Sequence, residues 1–408
     1  MVNEVKKVAI ENKISGKSVL LLLQIVMIVS VLSQISELEY ILRPLMFIGW
    51  FGIFICLTIS NGFEIQLSKF TWFFIFSYIA YFCYCAILTI SGTEHIKSNY
   101  LKLLLVPIMV CVVTDMINEK SEKFFQRSIF TYIFATTIFA VYINLKIFTV
   151  YDQWVDSTGY LFAQKNSASQ ILGTAVLLIY CVFLRSPVTN KFLKIGLSCL
   201  AIYFVLLCAL CKCRAVLLAL VCVFIINFFI NVKHKLFYLI IAAAIVAFCS
   251  QNVTVQKFIY GSLNLNNYDF KNLNEFSSNR IELWKRALDI FNDNALFGVG
   301  NYYVDNAYIN ILTESGIIGF LIIMPVFMCR MICNIKFTEQ LNNGLLLFLT
   351  LFYLVESLLE AYPPFGPGVS VFMFWFGSEF MTMNDTYKEV NNEYNKNKFS
   401  VSNNLSSY

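Results

Sequence analysis

The chain has 408 residues, of which 58% are hydrophobic, 16% aromatic and 13% charged, with a formal net charge of +5. Soluble domains are closer to half apolar and a quarter charged, so the composition excludes an ordinary soluble protein and points to an integral membrane one. Runs of about 18 or more apolar residues, enough to cross a bilayer, recur along the whole sequence. In chain order the candidate spans are 17–35, 44–60, 71–91, 101–116, 128–147, 168–185, 193–211, 215–232, 236–250, 308–333, 344–362 and 366–382. The expected fold is therefore an all-α integral membrane protein with about 12 transmembrane helices, residues 1–382 forming one polytopic membrane domain. The remainder, 383–408, is rich in Asn, Ser, Tyr and Lys without apolar period, and reads as a disordered cytoplasmic tail.

The start, MVNEVKKVAIENKISGKS, is charged like a signal sequence but carries no A-x-A cleavage site, so the first span is expected to stay in the protein. The 13 cysteines lie almost wholly inside apolar segments such as AYFCYCAIL, which argues for buried packing rather than a disulfide framework. With the N-terminus inside, 18 of the 30 basic residues fall on the cytoplasmic side, Arg330 among them, and 12 fall outside. Five of those 12 belong to one long loop. Long loops cross regardless of charge, so the excess supports an N-in, C-in topology.

Two outward-facing segments are long, 148–167 and 251–307. The second opens Asn-rich and then becomes regular: in NRIELWKRALDIFNDN, Ile281, Trp284, Leu288 and Phe291 recur on one helical face. Asn279 and Glu282 have capping-box spacing, which starts that helix at Arg280. A short amphipathic helix lying on the outer membrane surface is expected.

Few residues offer chemistry. Two histidines, His95 and His234, fall on opposite expected sides, the Cys211/Cys213 pair has no second pair nearby, and no nucleotide-binding glycine motif occurs. No metal and no cofactor are therefore expected. The polar groups that remain gather at the outer ends of spans. Lys212 and Arg214 interrupt the apolar run 193–232, and either line a polar cleft or mark a turn with their ends drawn to the interface. Lys165-Asn166 sits where a span begins, and Arg280 where the amphipathic helix begins, so each joins a cation to a helix N-terminus, an anion-binding arrangement. Arginine forks suit a phosphate, so a lipid-linked phosphate or pyrophosphate would fit. Glu356 and Glu360 share one helix face, as structural partners of an arginine or as groups that orient a sugar hydroxyl. Asp305-Asn306 precedes the span 308–333, either as an ordinary N-cap or with Asp305 as a general base. Glu314, Gly316 and Gly319 read as helix packing.

These residues resemble the O-antigen ligase and polymerase superfamily of bacterial envelope glycan assembly. The resemblance rests on GYLFAQKN at 159–166, CRA at 213–215, SNRIELWKRAL at 278–288 and above all LFGVG…DNAYINILTESGIIG at 296–319. It implies a glycosyltransferase of the bacterial cytoplasmic membrane that takes an undecaprenyl-pyrophosphate-linked oligosaccharide as donor at the outer face, without metal or nucleotide. Arg214 and Arg280 would then hold the pyrophosphate, with Lys165 assisting at the donor site and Asp305-Asn306 meeting the acceptor, while Asn166, Lys212, Glu356 and Glu360 are further substrate-binding candidates. A flippase and a chain-length regulator are the partners implied, and no nucleic acid. Ligases place a histidine before the asparagine, where this chain has Asp305. That departure favours a polymerase of O-antigen, capsule or exopolysaccharide repeat units over a ligase, although a carboxylate is a weak base near neutral pH. The rival class is a flippase or transporter of lipid-linked sugars, which would carry cations along a central cavity rather than at one outer loop.

Overall fold

The computed structural model describes residues 16–118, 121–154, 165–185, 190–231, 235, 240, 247, 251–253, 255–256, 277, 279–338, 344–366 and 371–382. The described residues are helical, with no strand among them. The helices are α1 (Gly16–Leu32), α2 (Ser36–Ser60), α3 (Lys69–Ile90), α4 (Asn99–Met116), α5 (Glu122–Trp154), α6 (Lys165–Leu178, continued to Leu184 by a wider π turn), α7 (Lys191–Leu210), α8 (Arg214–Asn231), α9 (Arg280–Asp293), α10 (Ala307–Thr338), α11 (Leu345–Ser357) and α12 (372–382). Eight are long and apolar enough to cross a membrane, while α1 and α11 are shorter apolar helices. The expected span 236–250 and the tail 383–408 lie outside the described residues, as does 1–15.

Apolar side chains cover the outside of the bundle, as Phe51, Phe76, Ile87, Phe134 and Ile202 do, because no polar rim is needed against hydrocarbon. Helix starts are satisfied locally: the Ser68 hydroxyl accepts from the Thr71 amide at 3.0 Å, and Asn190 from Phe192 at 3.0 Å. At the centre stands α6, 89% buried along its span. Its small residues allow that: a Cβ on Gly173 would come within 2.8 Å of both Phe352 and Val216, so α8 and α11 close directly onto it.

Polar contacts collect at two ends of the bundle. At the far end, Arg330 is fully buried, ion-paired to Glu379, bonded to Thr382 and stacked 3.7 Å above the Phe70 ring. The topology reading counted Arg330 as an inner-loop cation. It is instead a buried partner inside α10, because pairing satisfies a charge that hydrocarbon would not. At the other end lie the starts of α6, α8, α9 and α10 and the end of α11, and this end holds the candidate site.

Three sequence expectations are corrected here. Asn279 does not cap α9: it adopts a left-handed conformation (φ 62°) and its side chain makes no capping bond. The run 308–333 is not one continuous helix, because Gly316 breaks it (φ 65°, ψ −174°). Helix α11 stops at Ser357, so Glu360 lies in the turn beyond it rather than on the helix.

Candidate active site

Gly316 decides how the site is assembled. Its break takes the carbonyls of Thr313 and Glu314, and the amides of Ile317 and Ile318, out of the α10 ladder. The loop after α9 satisfies all four. Val299 and Gly300 donate to Thr313 and Glu314 at 3.0 and 2.9 Å, and Ile317 and Ile318 donate to Ala295 and Leu296 at 2.8 and 3.3 Å. Two backbones cross so closely that a Cβ on Gly298 would sit 2.5 Å from the Gly316 nitrogen, and one on Gly316 2.4 Å from the Leu296 oxygen. His95, buried at the turn between α3 and α4, braces the same loop, its Nε2 lying 2.8 Å from the Phe297 carbonyl. Tyr84 donates to the carbonyls of Phe297 and Ser315, and the Glu314 carboxylate accepts from the Asn99 amide at 2.8 Å. Glu314 is thus a brace, and Gly316 a backbone crossing rather than a simple helix contact.

The clamp ties α9 to the first turns of α10, with Ala287 packed flat at the interface and Thr313 hydrogen-bonded to its carbonyl. Helix α9 is amphipathic as expected, but Ala287 marks its buried face. Leu288, on the expected stripe, and Leu283 are 40% and 44% exposed. Held this way, α9 points its first residue inward. The Arg280 guanidinium lies 3.0 Å from a Glu360 carboxylate oxygen and 3.4 Å from an Asp305 oxygen. The Asn166 amide donates to the other Glu360 oxygen at 2.6 Å, and the Cys213 thiol lies 3.8 Å from the Asn166 carbonyl. A continuous chain of contacts therefore runs from the start of α8 through α6, the turn after α11 and α9 to the start of α10.

Asp305 and Asn306 divide the roles that the sequence left open. The cap is Asn306: its Oδ1 accepts from the Tyr308 and Ile309 amides at 3.0 Å each, and its amide donates to the Leu358 carbonyl. Asp305 is no cap. Its carboxylate accepts from the Tyr303 hydroxyl at 2.7 Å and faces Arg280, while its carbonyl accepts from the Trp284 indole at 2.8 Å. Burial and the neighbouring carboxylate hold the Tyr303 phenol above its ordinary value, so it remains a donor.

The other expected residues fall nearby. Lys212 sits in the turn from α7 to α8 in a left-handed conformation (φ 54°), and Arg214 opens α8 one residue beyond Cys213. The turn reading of this pair is thus right about the backbone, and the turn borders the Asn166–Glu360 contact. Lys165 is the first residue of α6, and its side chain lies outside the described residues. Glu356 is fully buried one turn below Glu360, and neither of its carboxylate oxygens has a hydrogen-bond partner among the described residues. Among the described residues no group of three His, Cys, Asp or Glu side chains could hold a metal ion. Sequence reasoning missed Tyr303 and the His95–Tyr84 brace, whose signals are ordinary loop and span aromatics until the backbone crossing brings them together, and read Trp284 only as part of the apolar face of α9.

The site combines a guanidinium, two carboxylates and an amide at the meeting point of four helix N-termini. Such an arrangement can bind a phosphate-bearing anion and abstract a proton beside it. Burial pushes the Glu360 carboxyl up to about 7, with Asp305 adding to the rise and Arg280 opposing it.

The comparison with curated proteins found no match. Residues 199–324, about a third of the chain, match the family model described as O-antigen ligase. That stretch contains Lys212, Arg214, Arg280, Asp305 and Asn306, the whole backbone crossing and α9. The family implies a glycosyltransferase-like enzyme acting on lipid-linked glycans, consistent with a multi-pass membrane protein. Over residues 199–324, the stretch that carries most of the assembled site, the chain is thus similar to the O-antigen ligase family.

Proposed function

We propose that this protein polymerises oligosaccharide repeat units carried on undecaprenyl pyrophosphate, by metal-independent glycosyl transfer on the extracytoplasmic face of the bacterial cytoplasmic membrane. The observation that carries this reading is Arg280 held between Asp305 and Glu360, with a cation (Arg214) at the start of α8 next to Cys213. The donor pyrophosphate takes the place of the carboxylates on Arg280, and Arg214, Lys212 and Lys165 supply further positive charge around it. A hydroxyl of the acceptor repeat unit attacks the anomeric carbon of the donor. The new glycosidic C–O bond forms as the bond to pyrophosphate breaks, its electron pair staying on the leaving oxygen, where arginines and helix N-termini stabilise it. Asp305 takes the hydroxyl proton, with Tyr303 orienting its carboxylate. Asn306 sets the acceptor edge, Glu360 holds Arg280 in register before the donor arrives, and Glu356 underpins that turn.

Asp305→Asn tests the base. It keeps the Tyr303 hydrogen bond and loses the proton acceptor, so polymer formation falls by about 10²-fold or more with donor binding little changed. Undiminished polymer from the purified lipid-linked repeat unit would leave Asp305 a purely structural role. A second outcome concerns pH. Below about 7 Glu360 is protonated and Arg280 is freer to meet pyrophosphate; above it the carboxylate competes. The kcat/KM profile therefore falls as pH rises through about 7, and Glu360→Gln removes that limb. A profile unchanged by the substitution contradicts this role for Glu360.

The ligase-like alternative differs in acceptor, a lipid A core in place of a second repeat unit. Product size separates them, a single transfer against a ladder of lengths. A flippase would instead leave lipid-linked single units on the inner leaflet of a deletion strain.

A further inference from the structure

At the far end of the bundle, away from Arg280, lies a concavity whose lining is mainly apolar and which carries two cations. Asn166 and Phe183 mark the two ends on α6, and 17 residues at helical rise separate them by roughly 26 Å. A cleft of about 300 Å³ opens there between α1, the first turns of α5 and the end of α6. Its mouth carries Lys123 and Arg127, four residues apart on α5 and so on one face. Neither has an ion-pair partner among the described residues, and the adjacent acid, Glu122, is engaged by the Gln126 amide at 3.0 Å. The floor is uncharged and polar: the Gln24 amide donates to the Thr131 hydroxyl at 2.9 Å, which in turn donates to the Arg127 carbonyl at 3.0 Å.

The outer wall is aromatic. Phe130 is 48% exposed and meets Phe183 edge-on, with ring centroids 6.4 Å apart. From there an apolar stripe continues away from the mouth, through Ile25 on α1 and Phe134 and Ile138 on α5, all exposed, while Leu21 lies exposed beside the mouth. Cations at the helix end, then a hydroxyl and amide, then a long apolar track, follow the layering of a phospholipid: phosphate, glycerol ester, acyl chain. A free anion would use the cations and leave the aromatic wall and the stripe without a role. Two cations without an ion-pair partner among the described residues, beside an uncharged floor, favour an anionic headgroup over a zwitterionic one, and basic clefts between membrane helices suit such lipids.

We propose that this cleft is a binding site for an anionic phospholipid, its phosphate on Lys123 and Arg127 and its acyl chain along the α1–α5 stripe. The site is independent of the polymerase reading, since no residue is shared with it. Native mass spectrometry of the detergent-solubilised full chain, titrated with phosphatidylglycerol or phosphatidylcholine, tests it. The expected preference for phosphatidylglycerol is roughly thirtyfold, corresponding to about 1 kcal/mol per cation. Lys123→Gln with Arg127→Gln brings the two lipids to parity, while Lys123→Arg with Arg127→Lys keeps the preference. Lys285→Gln with Arg286→Gln, on the exposed face of α9, also leaves it intact. Parity in the native protein, or a preference that survives the neutral pair, overturns the proposal. Displacement of the lipid by excess inorganic phosphate overturns it too, since the cleft would then be a free-anion site.

Discussion

Arg280→Ala abolishes long-chain product, with the rate of polymer formation falling by about 10³-fold or more while the protein stays in the membrane at native levels. In the proposed reaction the guanidinium acts where negative charge appears, on the leaving pyrophosphate, and removing one preorganised donor of that kind costs about 10²–10³ in rate. Here the charge is lost together with the fork geometry, so the upper end applies. The substitution also leaves Glu360 almost buried without its cation. Protonation absorbs much of that cost, because burial already pushes Glu360 up to about 7, and the remaining destabilisation is about 2 kcal/mol. The two effects separate in Arg280→Ala with Glu360→Gln, which restores thermal stability and not polymerisation. Arg214→Ala gives the same loss of product without the Glu360 effect. Gel ladders from purified lipid-linked repeat unit, with EDTA present, report both, and normal chain lengths in either variant would remove the arginines from the donor site.

Gly298→Ala and Gly316→Ala each disassemble the site from a distance. An alanine at either position must hold a left-handed conformation, which costs about 1–2 kcal/mol. Its Cβ would also lie 2.4–2.5 Å from backbone atoms of the opposing strand of chain, and backbone cannot rotate away as a side chain can. The expected loss is on the order of 3 kcal/mol, taken from the crossing that fixes α9 on α10. Activity falls because Arg280 is carried at the start of α9 and loses its register with Asp305 and Glu360. Hydrogen exchange checks this directly: the amides of Val299, Gly300, Ile317 and Ile318 lose protection in both variants. Alanine at Gly52, where nothing lies within 4 Å of an added Cβ, serves as the neutral control. Native protection in the Gly316 variant would mean that the crossing tolerates a Cβ there, and lost protection with full activity would mean that the crossing is not what holds Arg280 in register.

Much of this architecture was legible in order. Apolar run length dictated the helices, since a backbone in hydrocarbon has no other way to satisfy its polar groups over some twenty residues. The amphipathic period of α9 was legible locally, and its start at Arg280 was placed correctly, though through a capping box that Asn279 does not form. The grouping of Arg280, Asp305, Asn166 and Glu360 at one end followed from counting spans.

Other features depended on contacts that no local pattern encodes. Whether Asp305 or Asn306 capped α10 could not be read from two neighbouring residues of equal capping propensity. Arg280 settles it by drawing Asp305 away, leaving Asn306 to the helix. Arg330 looked like a loop charge because its partner, Glu379, lies 49 residues on and meets it only when α12 packs back. The break at Gly316 was invisible because its apolar surroundings are those of any span. Only the loop 295–300 arriving at it makes a left-handed glycine there satisfy four backbone groups instead of orphaning them. The sequence alone thus determined which of the described segments form apolar helices and which polar residues remain at their ends, because solvation acts on each segment by itself. Tertiary structure decided which of those residues pair, because pairing is a property of the crossing between α9 and α10 and not of either helix.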